Sequence, residues 1–205
     1  TSKVYYNTNL APSASFVSTK VQRDITKYAE SSELNKYGAR FKYSKFLKII
    51  DDSSDAITSN ITTLYMRRDL RVSLNAFAEY AIGFGNAFHV KRASGYNIKS
   101  TSFKINGLSQ AVYLSDLPNN DLRTGTLFFF SLPSVNSQTP TIIKRNVGTI
   151  DYTSGIVIIN PVNITDGKQK DCQTIIEIST CPLSNDVIGL QDLYLQLDVS
   201  HSTFN

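Results

Sequence analysis

From Val72 to the end of the chain, apolar residues recur at every second position in short runs, and Gly, Asn, Asp and Ser break the runs apart. Two-residue alternation places successive side chains on opposite faces of an extended backbone. This pattern therefore commits most of the sequence to strands with one buried face. Phe103 to Ile105 and Ala111 to Leu114 flank Asn106-Gly107 and predict a hairpin, because Asn-Gly supplies the positive φ values that tight primed turns require. Leu127 to Leu132, Thr141 to Val147 and Ile156 to Ile159 predict further strands, the last two separated by Gly148 to Gly155 with its turn formers Asp151, Ser154 and Gly155. Ala76 to Ile82 fits a helix or a strand by pattern, and Gly83 and Gly85 close behind it favour a strand. Leu193, Leu195, Leu197 and Val199 alternate with Tyr194, Gln196, Asp198 and Ser200, the cleanest two-residue period in the sequence.

The first third reads differently. Val17, Val21, Ile25, Tyr28 and Ala29 lie at helical spacings and predict one main helix over about 18–30. Ser18 or Thr19 is expected to cap it, and Thr19 with Gln22 has the spacing of a capping box. The polar run Glu30 to Lys36, followed by Gly38, is expected to end it. A strand is expected around Val4 to Tyr6. Two more are expected, one carrying Phe41, Tyr43, Leu47 and Ile49, the other Leu64, Met66, Leu70 and Val72, joined by a loop holding Asp51, Asp52 and Asp55. The expected fold class is therefore α+β and strand-dominated. A small strand-helix-strand-strand unit over residues 1–72 precedes a mainly antiparallel β unit over 73–205.

Composition narrows the function classes. The 205 residues carry a net charge of +4 and are 41% hydrophobic, as in ordinary folded domains. The longest apolar runs, such as Leu127 to Phe130, are four residues long, where a membrane-crossing helix needs about 20. There is no signal-peptide core, and a chain that opens on Thr1 with Met66 as its single methionine is expected to be a piece of something longer. Cys172 and Cys181 flank a run that alternates like a strand; fully extended, it would hold them roughly 30 Å apart, too far for a disulfide. His89 has no ligand-type neighbour and His201 has only Asp198, so no metal or cofactor is expected. The three aspartates of the 51–55 loop lack the glycine and distal glutamate of a calcium loop and read as a solvated turn. Asn60-Ile-Thr and Asn163-Ile-Thr match the glycosylation sequon as chance occurrences. No phosphate loop, nucleophile elbow or same-face carboxylate pair is present, so no residue is nominated as catalytic, cofactor-binding or metal-ligating.

Charge is uneven. Residues 1–71 hold 12 Lys and Arg against 7 Asp and Glu, whereas residues 72–205 hold 9 against 10. The basic excess is densest at Lys36, Arg40, Lys42, Lys45 and Lys48 and again at Arg67, Arg68 and Arg71, with Tyr37, Phe41, Tyr43, Phe46 and Tyr65 interleaved. Cations and stacking rings together suit a nucleic-acid surface. They equally describe half-solvated structure, and an excess of five is mild for an electrostatic footprint.

Three segments in this order carry a family resemblance: Tyr5-Tyr-Asn-Thr-Asn-Leu-Ala-Pro-Ser-Ala14 ahead of the helix, Phe103-Lys-Ile-Asn-Gly107, and Val147-Gly-Thr-Ile-Asp-Tyr-Thr-Ser-Gly-Ile-Val157. Together they resemble the C-terminal part of the baseplate wedge subunit of T-even-type contractile-tail bacteriophages. The resemblance implies a structural virion protein, assembled in the host cytoplasm, without catalytic residues. Its implied partners are further copies of itself and other wedge proteins, with no membrane and no specific nucleic acid. It implies a role in joining neighbouring wedges into a ring that shifts when the baseplate changes shape. A nucleic-acid-binding module using the basic first third and a carbohydrate-binding tail β-domain are the competing readings; the absence of Trp does not support the latter.

Overall fold

The computed structural model describes residues 1–133, 139–190 and 195–200. In chain order the elements are β1 (Ser2–Tyr6), α1 (Ala14–Ala29), β2 (Arg40–Phe41), α2 (Tyr43–Asp51), β3 (Ile57–Thr62), β4 (Met66–Arg71), β5 (Phe77–Gly83), β6 (Ile98–Ser100), β7 (Lys104–Ile105), β8 (Tyr113–Pro118), β9 (Thr124–Ser131), β10 (Thr141–Asp151), β11 (Ile156–Asp166), β12 (Lys168–Lys170), β13 (Gln173–Thr180) and β14 (Val187–Ile188). The fold class is α+β and dominated by antiparallel strands. Two compact units are present: residues 1–64 with the return segment from Ser184, and residues 65–183 inserted between them.

In the first unit, α1 buries Val17, Val21, Ile25 and Tyr28, the face that the helical spacing predicts. The helix starts a turn earlier than expected. Ser13, in extended backbone, caps it by accepting from the Phe16 N–H at 3.2 Å, whereas Thr19 lies inside the helix and donates to the Ser15 carbonyl. The apolar stripe locates the buried face, but the first turn carries exposed Phe16 and gives no stripe to read.

The expected strand through Phe41 and Ile49 is overturned, because Tyr43–Asp51 is helical. Phe46 and Ile50, four residues apart, are the buried pair, with the Phe46 ring 5.4 Å from Phe41 and 6.5 Å from Tyr28. Lys45, which interrupts the two-residue pattern, falls naturally on the solvent side of a helix. The N-terminus of α2 takes its capping acceptor from far along the chain: the Tyr43 N–H donates to Asp186 Oδ1 at 2.8 Å. The neighbouring Val187 and Ile188 pair with Phe41 and Arg40. Asp51 and Asp52 accordingly close a helix, where the Asp52 N–H donates to Lys48, and do not join two strands. β3 pairs antiparallel with β1 and was not read from the sequence, because Ile57–Thr62 is mostly polar.

The second unit contains a sheet in the order β5-β11-β10-β9-β8, with β7 on the far end of β11, and a second sheet in which β13 lies between β4 on one side and β12 and β6 on the other. Its core is built from Leu114, Leu127, Phe129, Ile150, Val157, Ile159, Ile176 and Ile178. At Gly148, β10 carries a register shift, and a Cβ there would stand 2.1 Å from the Ile158 carbonyl oxygen. Only glycine lets the three central strands approach this closely.

Two expected β features differ. The Asn106-Gly107 turn is not a two-residue hairpin loop. Lys104–Ile105 pairs with β11, Gly107 adopts φ +85°, the Leu108 N–H donates to Ile105, and the chain closes on itself only at the Phe103–Val112 bridge. Partner choice by β11 overrides the local turn signal. The alternating run at 193–199 also fails: Leu193 and Tyr194 lie outside the described residues, and Leu195–Val199 form no strand, Val199 donating instead to the Leu197 carbonyl at 3.1 Å. Alternation assigns faces, but a strand also needs an edge to pair with.

β12 and β13 are joined by Asp171 and Cys172, both left-handed at φ +49° and +61°. A non-glycine residue in this region costs about 1–2 kcal/mol. Replacing Cys172 with glycine is therefore expected to stabilise the fold by about 1 kcal/mol in urea denaturation; unchanged or lower stability contradicts this turn assignment.

Candidate functional site

The basic residues of the first third are divided between the two units. Lys36, Arg40, Lys42, Lys45 and Lys48 belong to the first unit, and Arg67, Arg68 and Arg71 to the second. Lys45 is paired with Glu33 and stands 5.7 Å from the Tyr28 ring centre. In the β4–β13–β12 sheet the cations are interleaved with carboxylates. Arg67 and Lys170 contact Asp69 at 3.5 and 2.6 Å, and Lys168 contacts Glu177 at 2.8 Å. Charge neutralised within the sheet is not offered to phosphates.

The remaining chemistry-bearing side chains are dispersed. His89 is exposed, and its backbone N–H donates to Cys181, which is buried; Cys172 is exposed at the other end of β13. His201 lies outside the described residues. Asp51 accepts from the Asn60 side chain at 2.6 Å. Among the described residues no three His, Cys, Asp or Glu side chains are grouped to hold a metal ion, and no helix is long and apolar enough to cross a membrane.

One buried carboxylate went unread in the sequence. Asp116 on β8 is fully buried and accepts four hydrogen bonds, from the Asn97 N–H (2.7 Å), the Asn97 side-chain amide (2.8 Å), the Ile98 N–H (2.7 Å) and the Tyr152 hydroxyl (2.6 Å). Its own carbonyl accepts from Tyr96. Burial, reinforced by the bond to Asp116, pushes the Tyr152 hydroxyl well above the ordinary tyrosine range. A carboxylate this fully engaged has no lone pair directed at a ligand. Its effect is to hold residues 96–98 against the sheet. The signal for it was available: Val112, Leu114 and Asp116 alternate on one buried face, so the aspartate occupies a core position.

Asp151, in contrast, is half-buried and organises the β10–β11 turn. Its carboxylate accepts from the Thr153 hydroxyl and N–H and from the Ser154 hydroxyl and N–H, which lowers its pKa to about 2. Because the folded value lies below the ordinary 3.8, this stabilisation is present above about pH 4 and is lost as pH falls toward 2. An NMR carboxyl titration is expected to give a midpoint of about 2 for Asp151, rising toward 3.8 when Thr153 and Ser154 are both alanine. An unchanged midpoint in that variant would discount the turn bonds.

The other notable surface is the outer edge of β5. Among the described strands β5 pairs only with β11, and Phe77, Glu79 and Ala81 are exposed along it. Phe77, at 76% exposure, is the most exposed large apolar side chain among the described residues. The Phe84 N–H donates to Gly155, which sets the alternation: Ile82 and Tyr80 direct backbone groups at β11, while Gly83, Ala81 and Glu79 direct theirs outward. Arg68 reads the outward Gly83 carbonyl at 2.7 Å.

Residues 1–69 match the family model described as baseplate structural protein gp6, C-terminal domain III. This segment, about a third of the chain, is similar to that family. For that segment, the match supports a structural role in the phage tail baseplate. The matched segment covers β1 through most of β4, and the fold completes it with the return strand β14 and the Asp186 cap. No curated protein matches the chain.

Proposed function

We propose that this chain is the part of a baseplate wedge subunit that joins neighbouring wedges into a ring around the tail hub, that it shifts when the baseplate changes shape for infection, and that it has no catalytic activity. The reading rests on the match of residues 1–69 to a gp6 C-terminal domain. The strand-rich second unit fits such a role, since sheets associate through packed faces or through an edge that another chain extends. Interfaces that must rearrange are of moderate size and mixed polarity, which the interleaved charges of the β4–β13–β12 sheet suit. Co-expression with the other wedge proteins of the same phage tests it. The chain, within its full-length parent, is expected to co-purify in a wedge complex that assembles further into rings. A parent that enters no such complex, or one that binds duplex DNA at nanomolar Kd near physiological salt, would overturn the reading.

A further inference from the structure

We propose that the outer edge of β5 is a self-association surface at which a second copy of this chain adds its own β5 antiparallel, about a two-fold axis at Ala81. The inference rests on the self-association in the proposed function and names the surface that carries it.

Three observations lead to a second copy as the occupant. First, the outward backbone groups of Glu79, Ala81 and Gly83 are those a further strand would use, and β5 has no strand on that side among the described residues. Second, the edge is complementary to itself in charge. Glu79 forms no ion pair among the described residues, and neither does Arg68, whose guanidinium sits on the Gly83 carbonyl. Antiparallel pairing about Ala81 sets Glu79 opposite Gly83 of the second copy, beside that copy's Arg68, and the symmetry makes this contact twice. A pairing centred on Glu79 would oppose the two carboxylates, so charge selects the register. Third, the side chains allow it. Ala81 at the axis and Gly83 beside it leave room for close backbone approach. Such an edge is ordinarily shielded by a charged side chain; here Arg68 shields one carbonyl, and the neighbouring Ala81 is bare.

The test is a sedimentation series on the chain and on its full-length parent, with three variants. Ala81→Pro removes an N–H that faces away from β11, so the sheet is retained while the pairing loses its centre. Its association constant is expected to fall at least tenfold. Glu79→Arg faces Arg68 of the second copy and is expected to weaken association similarly, and the double variant E79R/R68E is expected to restore it. Circular dichroism and urea midpoints confirm that each variant is folded. If the unmodified parent associates and Ala81→Pro and Glu79→Arg do so equally well, the edge is not the surface and the proposed function stands. If the unmodified parent remains monomeric at hundreds of micromolar, both fail together.

Discussion

Replacing Asp116 with alanine is expected to destabilise the second unit by about 3–5 kcal/mol, the largest effect of any single polar change in the chain. The substitution leaves the N–H groups of Asn97 and Ile98, the Asn97 amide and the Tyr152 hydroxyl without their acceptor. Each buried donor left unpaired costs about 1–3 kcal/mol, and the sum is limited because part of the Asn97 neighbourhood can reach water. Tyr152→Phe removes one donor and is expected to cost about 1–2 kcal/mol. Urea denaturation followed by tyrosine fluorescence checks both. A loss below about 1 kcal/mol for Asp116→Ala would mean that the four bonds do not act together.

Gly148→Ala is expected to cost about 3 kcal/mol, at the upper end for overpacking. The new methyl would stand 2.1 Å from the Ile158 carbonyl oxygen, 2.9 Å from Leu127 Cδ1 and 3.0 Å from Ile159 Cα. Two of those atoms are backbone in a neighbouring strand, so relief requires β10 and β11 to separate, and with them the Gly148–Ile159 pairing. The variant is expected to lose hydrogen-exchange protection first at residues 148–151 and 156–159. Wild-type protection there would show that the strands can yield at little cost.

The parts of this fold legible in the sequence are those decided by local period. The buried stripe of α1, the strands at Leu127, Thr141 and Ile156, and β5 near Ala76 follow from which side of a helix or sheet each apolar residue must face. What could not be read depends on partners distant in sequence. The cap on α2 comes from Asp186, 143 residues beyond Tyr43, and without it the Phe41–Ile49 stretch reads equally well as a strand. β3 is held by its pairing with β1, not by an apolar pattern of its own. The Asn106-Gly107 turn is redirected because β11 competes for Ile105. For the candidate site, the basic cluster was visible, but the approach of Glu177 to its Arg67 was not, since that carboxylate reaches the arginine only when β13 and β4 are assembled. The open edge of β5 is likewise a property of strand order, and strand order is not written in any one strand.

The central claim is that this chain is a repeated, self-contacting element of the baseplate ring. Cryo-electron microscopy of isolated tails, with the chain located by a tag on its parent, measures this directly. The account predicts copies placed regularly around the hub, each touching a neighbouring copy of the same chain. Copies that sit apart, touching only other proteins, would contradict it.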